Sequence, residues 1–260
     1  VDRFRGHAGL HVIHQHVEGL REYTALLFIP SRRPADLDTR EHRRGLQLYA
    51  RRVFIMDECR ELMPEYLRFV RGLVDSPDLP LNVSRESIQE DRLLMAMRRQ
   101  LTRRVLAELG ERLEGDRAAY EGFWEAFGPV LKEGFHYEPG QAQRLICLFR
   151  TSAQDGWSTL AEIGARRVEG QKAIYFLAGE RLDALRRSPQ LESLRRRGVE
   201  VLLLADPVDE LLVARLGEID GLPLVSVAQG QLDLEGLPEP ERGDDVDSPS
   251  AALMAPLLER

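Results

Sequence analysis

The stretch between residues 79 and 90 joins a proline-marked loop to the start of a long helical pattern. Ser84 or Ser87 can cap that helix, because a serine hydroxyl accepts hydrogen bonds from the first free backbone amides. Arg85 then lies near the helix start, where the free amides and the helix dipole favour an anion. Gln89 follows one turn later on the same face. The spacing is compatible with a phosphate clamp, although an arginine at a helix start is more often only solvated.

The elements that must position this junction follow from hydrophobic periodicity. Alternating residues predict two strands joined by a turn at Glu18 and Gly19, and then one long strand. Apolar residues at helical spacing predict three helices, of which the middle one carries Arg85 in its first turn. The predicted ranges are 12–17, 23–29 and 46–56 for the strands, and 61–74, 85–113 and 116–132 for the helices.

A reset of the pattern at Gly134, Pro139 and Gly140 predicts a boundary between two subdomains. Beyond it, strands alternate with helices, which favours an α/β layer structure. The predicted strands are 173–177, 199–204 and 224–227, and the predicted helices are 141–150, 179–187, 190–197 and 208–216. We therefore expect a larger α/β subdomain with long helices at 1–133, a smaller α/β subdomain at 134–230, and an acidic linker from 231 to 260.

Composition narrows the class of protein. The 260 residues are 43% hydrophobic and 30% charged, which is typical of a globular chain, and no apolar run approaches the roughly 20 residues of a membrane span. Most of the net charge of -7 comes from residues 231–260, which contain eight acidic residues and only two basic ones, Arg242 and Arg260. Cys59 and Cys147 form no CxxC pair, so a reducing compartment is the simplest setting.

Three further features have competing interpretations. His11, His14 and His16 resemble a metal cluster, but only His14 and His16 share a strand face, and we expect a structural or surface role. Arginine pairs such as Arg98-Arg99 suggest nucleic-acid binding, yet a near-neutral body favours a solvated face. The aromatic residues Phe123, Trp124 and Phe127 read first as a core stripe. The alternative is an apolar client-binding patch with Trp124 as its exposed member.

Three runs together resemble the middle domain of the heat-shock protein 90 chaperone family, of the bacterial high-temperature protein G type. They are LYARRVFIMD at 48–57, PEYLRFVRGLVDS at 64–76 and DLPLNVSRE at 78–86. The resemblance runs in collinear order over about residues 14–230. It implies two α/β sandwich subdomains joined by a helical region, the larger one ribosomal protein S5 domain 2-like. It also implies that residues 231–260 lead into a C-terminal dimerisation domain.

The resemblance also implies a function. In that family an N-terminal domain binds ATP with Mg, and a catalytic-loop arginine of the middle domain reaches the γ-phosphate. By motif match this arginine is Arg85, its neighbouring glutamine is Gln89, and Asn82 and Ser84 shape the loop. By location alone, Arg32 and Arg33 are candidates for contacts with the N-terminal domain, as are Arg51 and Arg52. We expect this segment by itself to bind no cofactor and to be inactive as an ATPase.

The expected partners are the N-terminal ATPase domain and the C-terminal dimerisation domain of the same protein, and non-native client proteins. We expect no membrane and no nucleic acid as partners, and a bacterial cytoplasmic location. Ala35 departs from the pattern, because the family often has an aromatic residue there. That departure leaves open a diverged paralogue or scaffold without ATPase coupling, and an arginine-rich nucleic-acid module is a weaker alternative.

Overall fold

A computed structural model describes residues 11–19, 21–39, 45–80, 92–138, 146–228, 232 and 234–238. The first half of the chain forms a five-stranded sheet of order β1-β2-β5-β3-β4. Its pairs are antiparallel except β3 with β5, which run parallel. The strands are β1 (His11–Val17), β2 (Tyr23–Ile29), β3 (Leu46–Ala50), β4 (Val53–Cys59) and β5 (Arg71–Ser76). The predicted strands at 12–17 and 23–29 are confirmed.

The long strand predicted at 46–56 is wrong, because β3 and β4 are the two arms of a hairpin. Ala50 pairs with Val53, so only Arg51 and Arg52 form the turn. Both have positive φ angles, 51° and 65°. A two-residue turn of this kind needs positive φ at both positions, a conformation that usually selects Asn-Gly. Two arginines give no such turn signal, and the apolar residues on either side therefore read as one strand.

The helix predicted at 61–74 is also wrong. The chain instead makes two short 3-10 turns, Arg60–Leu62 and Glu65–Leu67, and then enters β5. Gly72 has a φ of 146°, and a Cβ atom there would lie 2.1 Å from the carbonyl oxygen of Leu26 on β2. This close strand pairing requires glycine. The apolar residues of the turns and of the strand happen to recur at helical spacing along residues 61–74, which explains the wrong prediction.

Two long helices follow the first sheet in the chain, α1 (Arg92–Gly115) and α2 (Arg117–Lys132), and they pack against each other. Asp116 caps α2, since its carboxylate accepts a hydrogen bond from the Ala119 amide at 3.0 Å. Both helices are confirmed over their described residues. The apolar stripe predicted for α1 is buried in the core and consists of Leu94, Met97, Leu101, Val105 and Leu109.

The second sheet has the order β10-β11-β8-β9-β6-β7. Its strands are β6 (Leu148–Thr151), β7 (Ser158–Thr159), β8 (Ile174–Ala178), β9 (Val201–Leu204), β10 (Glu218–Ile219) and β11 (Leu222–Ser226). Strands β11, β8 and β9 run parallel, as expected for strands that alternate with helices. The helices are α3 (Gly134–Tyr137), α4 (Leu160–Ala165), α5 (Leu182–Arg186), α6 (Glu192–Arg195) and α7 (Asp209–Leu216). The helix predicted at 141–150 is wrong at its end, where β6 begins.

These mixed sheets with their helices confirm the predicted α/β class. The main hydrophobic core contains residues of both sheets, for example Leu27 and Leu48 from the first, and Ile174 and Leu202 from the second. The subdomain limits at 133 and 230 stay a prediction. Among the described residues, none of the helices is both long enough and apolar enough to cross a bilayer.

Candidate functional site

The four residues predicted for the catalytic loop, Asn82, Ser84, Arg85 and Gln89, lie outside the described residues. The structure does describe both flanks of their segment. On one side β5 runs into residues 77–80, and on the other side the described part of α1 begins at Arg92. The candidate site is therefore built from the way in which these two flanks are held.

The first flank is fixed to the start of β2. The buried hydroxyl of Ser76 donates a hydrogen bond to the carbonyl oxygen of Glu22 at 2.6 Å. The carboxylate of Asp78 accepts one from the backbone amide of Glu22 at 2.8 Å. Both backbone groups of Glu22 are thus paired with side chains from the end of β5. Leu79 is fully buried, so the chain is held to within two residues of the undescribed segment.

The second flank is held at the neighbouring residue of the same strand. The Tyr23 hydroxyl donates a hydrogen bond to the side-chain carbonyl of Gln100 on α1 at 2.9 Å. Burial raises the pKa of Tyr23 to about 12, so the hydroxyl keeps its proton at physiological pH. Leu94 and Met97 anchor the same part of α1 in the core. The chain before segment 81–91 is thus tied to Glu22, and the helix after it is tied to the neighbouring Tyr23 through Gln100, about two turns into α1.

The Arg51-Arg52 turn lies beside the first flank, because β3 and β5 are parallel neighbours. The Arg51 amide donates to the Ser76 carbonyl at 3.2 Å, and its guanidinium Nε donates to the Pro77 carbonyl at 3.1 Å. The Arg52 amide donates to the Asp75 carboxylate at 3.0 Å. The side chain of Arg52 stays exposed. The turn therefore supports the loop base and presents a cation next to it.

Two apolar side chains that sequence reasoning missed adjoin this turn. Val53 and Phe54 are 51% and 52% exposed at the start of edge strand β4. The Phe54 ring packs edge-on against Tyr49, with the ring centroids 5.6 Å apart. Exposed large apolar residues beside a cation are typical of a docking surface. We call Arg51, Arg52, Val53 and Phe54 the hairpin surface.

The loop that carries Arg32 and Arg33 is closed back onto the domain. Arg32 is exposed, whereas Arg33 donates to the Ala126 carbonyl at 2.8 Å and forms an ion pair with Asp38. Asp38 also binds Arg68 at 3.1 Å. Burial would raise the pKa of Asp38, but the hydrogen bonds from the two arginines outweigh it and lower that pKa below its usual value. The predicted contact with an N-terminal domain stays a prediction, and Arg32 is the residue with a free path to solvent.

The structure contradicts an exposed client-binding patch at Trp124 and Phe123. Both belong to the buried core, and Trp124 is only 2% exposed. Its indole lies between the rings of Tyr120 and Trp157, at centroid distances of 6.4 and 6.5 Å. Gly128 leaves room for it, since a Cβ there would come within 2.8 Å of the indole. The stripe is core because the face of α2 that carries Phe123, Trp124 and Phe127 is buried, whereas Gly122 and Glu125 on another face are exposed.

Most of the remaining candidates make contacts within the chain. His11 is hydrogen-bonded to Glu108, His16 contacts Thr24 and Glu18, and His14 is exposed. Across the described ranges, no group of three or more His, Cys, Asp or Glu side chains could hold a metal ion. Cys59 and Cys147 are buried, and burial raises the pKa of each thiol to about 12. Several members of the arginine clusters are paired with carboxylates, for example Arg98 with Glu138 and Arg166 with Glu200.

The comparisons with known proteins agree with this geometry. The family model described as Hsp90 protein matches residues 5–258. The chain is 48% identical to the chaperone protein HtpG of Rhodospirillum rubrum over 229 residues, which are 87% of this chain and 37% of that protein. It is 44% identical to HtpG of Nocardia farcinica over 253 residues, covering 96% of this chain and 39% of the relative. The chain thus spans well under half the length of these curated relatives.

A solved structure extends the agreement to the fold. The middle domain of a heat shock protein from Plasmodium falciparum superimposes with a TM-score of 0.77 at 26% identity, covering 88% of this chain and 92% of that one. The family model and the fold therefore agree over nearly the whole chain. On these grounds the chain belongs to the Hsp90 protein family and corresponds to its middle domain.

Proposed function

We propose that this chain is the middle segment of an ATP-dependent chaperone and that Arg85 contacts the γ-phosphate of ATP bound to a separate N-terminal domain. The observation that carries the proposal is that the chain is anchored on both sides of segment 81–91, by Ser76 and Asp78 at Glu22 before it and by α1 at Tyr23 after it. A cation that must meet a transferring phosphoryl group has to be pre-positioned, because reorganisation during the reaction would cost most of its electrostatic benefit. Anchored flanks on both sides support the proposal that Arg85 is positioned in this way.

The roles inside the segment follow from chemistry. The Arg85 guanidinium offers a planar fork of donors that suits phosphate oxygens and stabilises the charge that develops on them. Gln89 can hold that fork or donate to the same phosphate, while Asn82 and Ser84 shape the turn. ATP with Mg is bound by the N-terminal domain, which supplies the carboxylate that activates water. The segment alone is therefore inactive, and any ATPase activity belongs to the assembled chaperone.

Docking of the N-terminal domain needs a surface next to segment 81–91, and the hairpin surface meets this requirement. Arg51 and Arg52 lie beside the loop base, and Phe54 is half exposed at the same end of the sheet. Arg32 is a further exposed cation, but it follows Ile29 at the opposite end of β2 and would make a separate contact with the N-terminal domain. Because the hairpin surface combines two arginines with two exposed apolar side chains, the partner should carry carboxylates next to apolar side chains.

The client surface is the second part of the proposal. With Trp124 buried, the exposed apolar side chains of the helices become the candidates, chiefly Tyr137 on α3 and Leu211 on α7. These two helices pack against each other. Such a surface fits non-native chains, which expose apolar residues. A C-terminal dimerisation domain and a bacterial cytoplasmic setting complete the proposed assembly.

The experiment is ATP turnover by the full-length chaperone with Arg85→Ala. We expect turnover to fall by about 10²-fold, the effect of removing one pre-positioned transition-state donor, while nucleotide affinity is unchanged. Arg99→Ala is the matched control, since Arg99 is an exposed arginine on α1. Equal turnover in the Arg85 variant and the control would reject the catalytic role. It would favour the alternative of a paralogue or scaffold without ATPase coupling.

A further inference from the structure

Lys132, one of only two lysines among 36 basic residues, ends α2 in a buried position. Its ammonium lies 2.7 Å from the Asp206 carboxylate and 2.7 Å from the Asp209 carboxylate. Asp209 opens α7 and also accepts a hydrogen bond from the Asp206 amide at 3.0 Å. The Phe149 ring lies below the ammonium, 5.6 Å away. Lys132 thus ties the last turn of α2 to the connection between β9 and α7 of the second sheet.

The next residue, Glu133, makes a matching connection to the first sheet. Its two carboxylate oxygens accept hydrogen bonds from Arg68 at 2.6 and 2.9 Å. Arg68 is also buried and binds the Leu37 carbonyl and Asp38 in the loop that carries Arg32. Three residues after Arg68 the chain enters β5, which leads directly to the base of segment 81–91. Two consecutive residues therefore bind different parts of the molecule: Lys132 binds the connection between β9 and α7, and Glu133 binds Arg68 next to the first sheet.

A gain in stability alone does not explain why Lys132 and Glu133 make these buried ionic contacts. A buried ion pair is often no more stabilising than apolar side chains of similar volume, because desolvation offsets the attraction. Burial alone would lower the pKa of Lys132, but Asp209 and Asp206 outweigh it and raise that pKa, so the ammonium stays charged at neutral pH. A compact ammonium with three donors can meet two carboxylates at one point, whereas the fork of the far commoner arginine is larger and planar. Such a contact therefore determines the relative position of the two elements that it joins.

We propose that Lys132 and Glu133 form an ionic joint whose residues are positioning residues for Arg85. The joint adds a directional contact to the hydrophobic core that the two sheets share, and so refines the orientation of the second sheet relative to β5, the strand that leads into segment 81–91. This inference rests on the proposed role of Arg85, and it adds that ATP turnover depends on a contact made by the second sheet. A change at Asp206 or Asp209 then reaches the phosphate through Lys132, Glu133, Arg68 and β5.

The test uses the full-length chaperone with Lys132→Met and Asp209→Asn together. This pair removes both fully buried charges but keeps an acceptor for the Asp206 amide, so only the Asp206 carboxylate, which is 35% exposed, loses its partner. The matched control is Arg166→Met with Glu200→Gln, because that ion pair is also partly buried but lies entirely within the second sheet region. Spin labels at exposed positions 35 and 183 report the distance between the two parts.

In the joint variant we expect a folded protein with a broadened label distance distribution. Turnover should fall about fivefold or more, the usual size of a coupling between sites, with unchanged nucleotide affinity. The control should change neither. Glu133→Gln, which weakens only the contact with Arg68, should give the same pattern and covers the case in which the first variant does not fold.

An unchanged distance distribution in both joint variants, or a broadened one with normal turnover, overturns the proposal. Failure of the proposed function is recognised separately. If Arg85→Ala leaves turnover unchanged, the catalytic assignment is lost, whereas the distance distributions still report whether the joint exists.

Discussion

The hairpin surface and helix α2 use the same residue types in opposite ways. At the hairpin, Arg52 and Phe54 extend into solvent from a turn with two positive φ angles. On α2, Trp124 is enclosed by other rings, and the ionic groups at the helix end are all matched within the chain. The exposed side chains of the hairpin surface are accessible to a partner, whereas Trp124 and the ionic groups of α2 are not. Exposure of a side chain on a well-supported backbone therefore indicates a partner surface better than residue type does.

The largest expected effect lies on α2. Trp124→Ala should lower the free energy of unfolding by about 3–5 kcal/mol, because it empties a large, closely packed site. Urea unfolding followed by circular dichroism measures the change. Client capture per folded molecule should stay normal, since the indole is not accessible. A stable Trp124→Ala protein with weakened client capture would show that the ring opens to partners after all.

The sequence was sufficient for the class of fold and for the long elements. Helices α1 and α2 have enough turns for their apolar spacing to be unambiguous, and β1, β2 and β8 carry clear strand patterns. Errors arose where the backbone depends on tertiary contacts. Arg51 and Arg52 adopt positive φ because Asp75, Ser76 and Pro77 hold them, and local propensity contains no sign of those partners. The exposure of Phe54 follows from that turn, so it could not be predicted from a sequence pattern that did not show the turn.

The burial of Trp124 could not be predicted for the same reason, because it also depends on tertiary contacts. Its neighbour Trp157 lies far along the chain, so helical periodicity could identify an amphipathic stripe without identifying what covers it. The motif around Arg85 was the reverse case. Its assignment came from family resemblance, and the structure contributes the anchors at Glu22 and Tyr23 that no motif contains.

A smaller effect is expected at Arg68, the buried arginine that binds Glu133 of the joint. Arg68→Met should lower the free energy of unfolding by about 3 kcal/mol, because Glu133 loses both hydrogen bonds in a partly buried site. Arg68→Lys should recover only part of the loss, since an ammonium cannot make the two-pronged contact. Guanidinium unfolding of the three proteins checks the order. Equal losses in both variants would mean that the fork geometry is unimportant.

The same variant predicts a pH effect at Asp38. The depressed pKa of this carboxyl means that its contacts stabilise the fold above the ordinary aspartate pKa and are lost as the pH falls through the depressed value. Without Arg68 the carboxyl keeps only Arg33, so its pKa should rise toward the usual value, and the acid-sensitive part of stability should shrink. Carboxyl chemical shifts against pH measure the pKa directly. An unchanged pKa would assign the effect to Arg33 alone.

At the hairpin surface the sign of the stability effect should reverse. Arg52→Gly relieves a positive φ angle that costs an L-amino acid roughly 1–2 kcal/mol, part of which is offset by the extra entropy of glycine in the unfolded chain. We expect a gain of up to about 1 kcal/mol in the free energy of unfolding, together with weaker binding of the N-terminal domain. Calorimetry and titration with that domain separate the two effects. A destabilised variant would mean that the arginine side chain itself holds the turn.

The smallest change in stability and the clearest distinction between the two regions are expected at Phe54. Because its ring is half exposed and its main contact is Tyr49, Phe54→Ser should alter the free energy of unfolding by only about 0.5 kcal/mol. Affinity for the N-terminal domain should nevertheless fall about tenfold, since an apolar side chain at the centre of an interface contributes more than its exposed area suggests. Val12→Ser is the control, because Val12 is equally exposed on β1, at the opposite edge of the sheet. If both serine variants bound the domain as tightly as the parent chain, the hairpin surface would be no more a docking site than α2, and the contrast between the two regions would reduce to exposure alone.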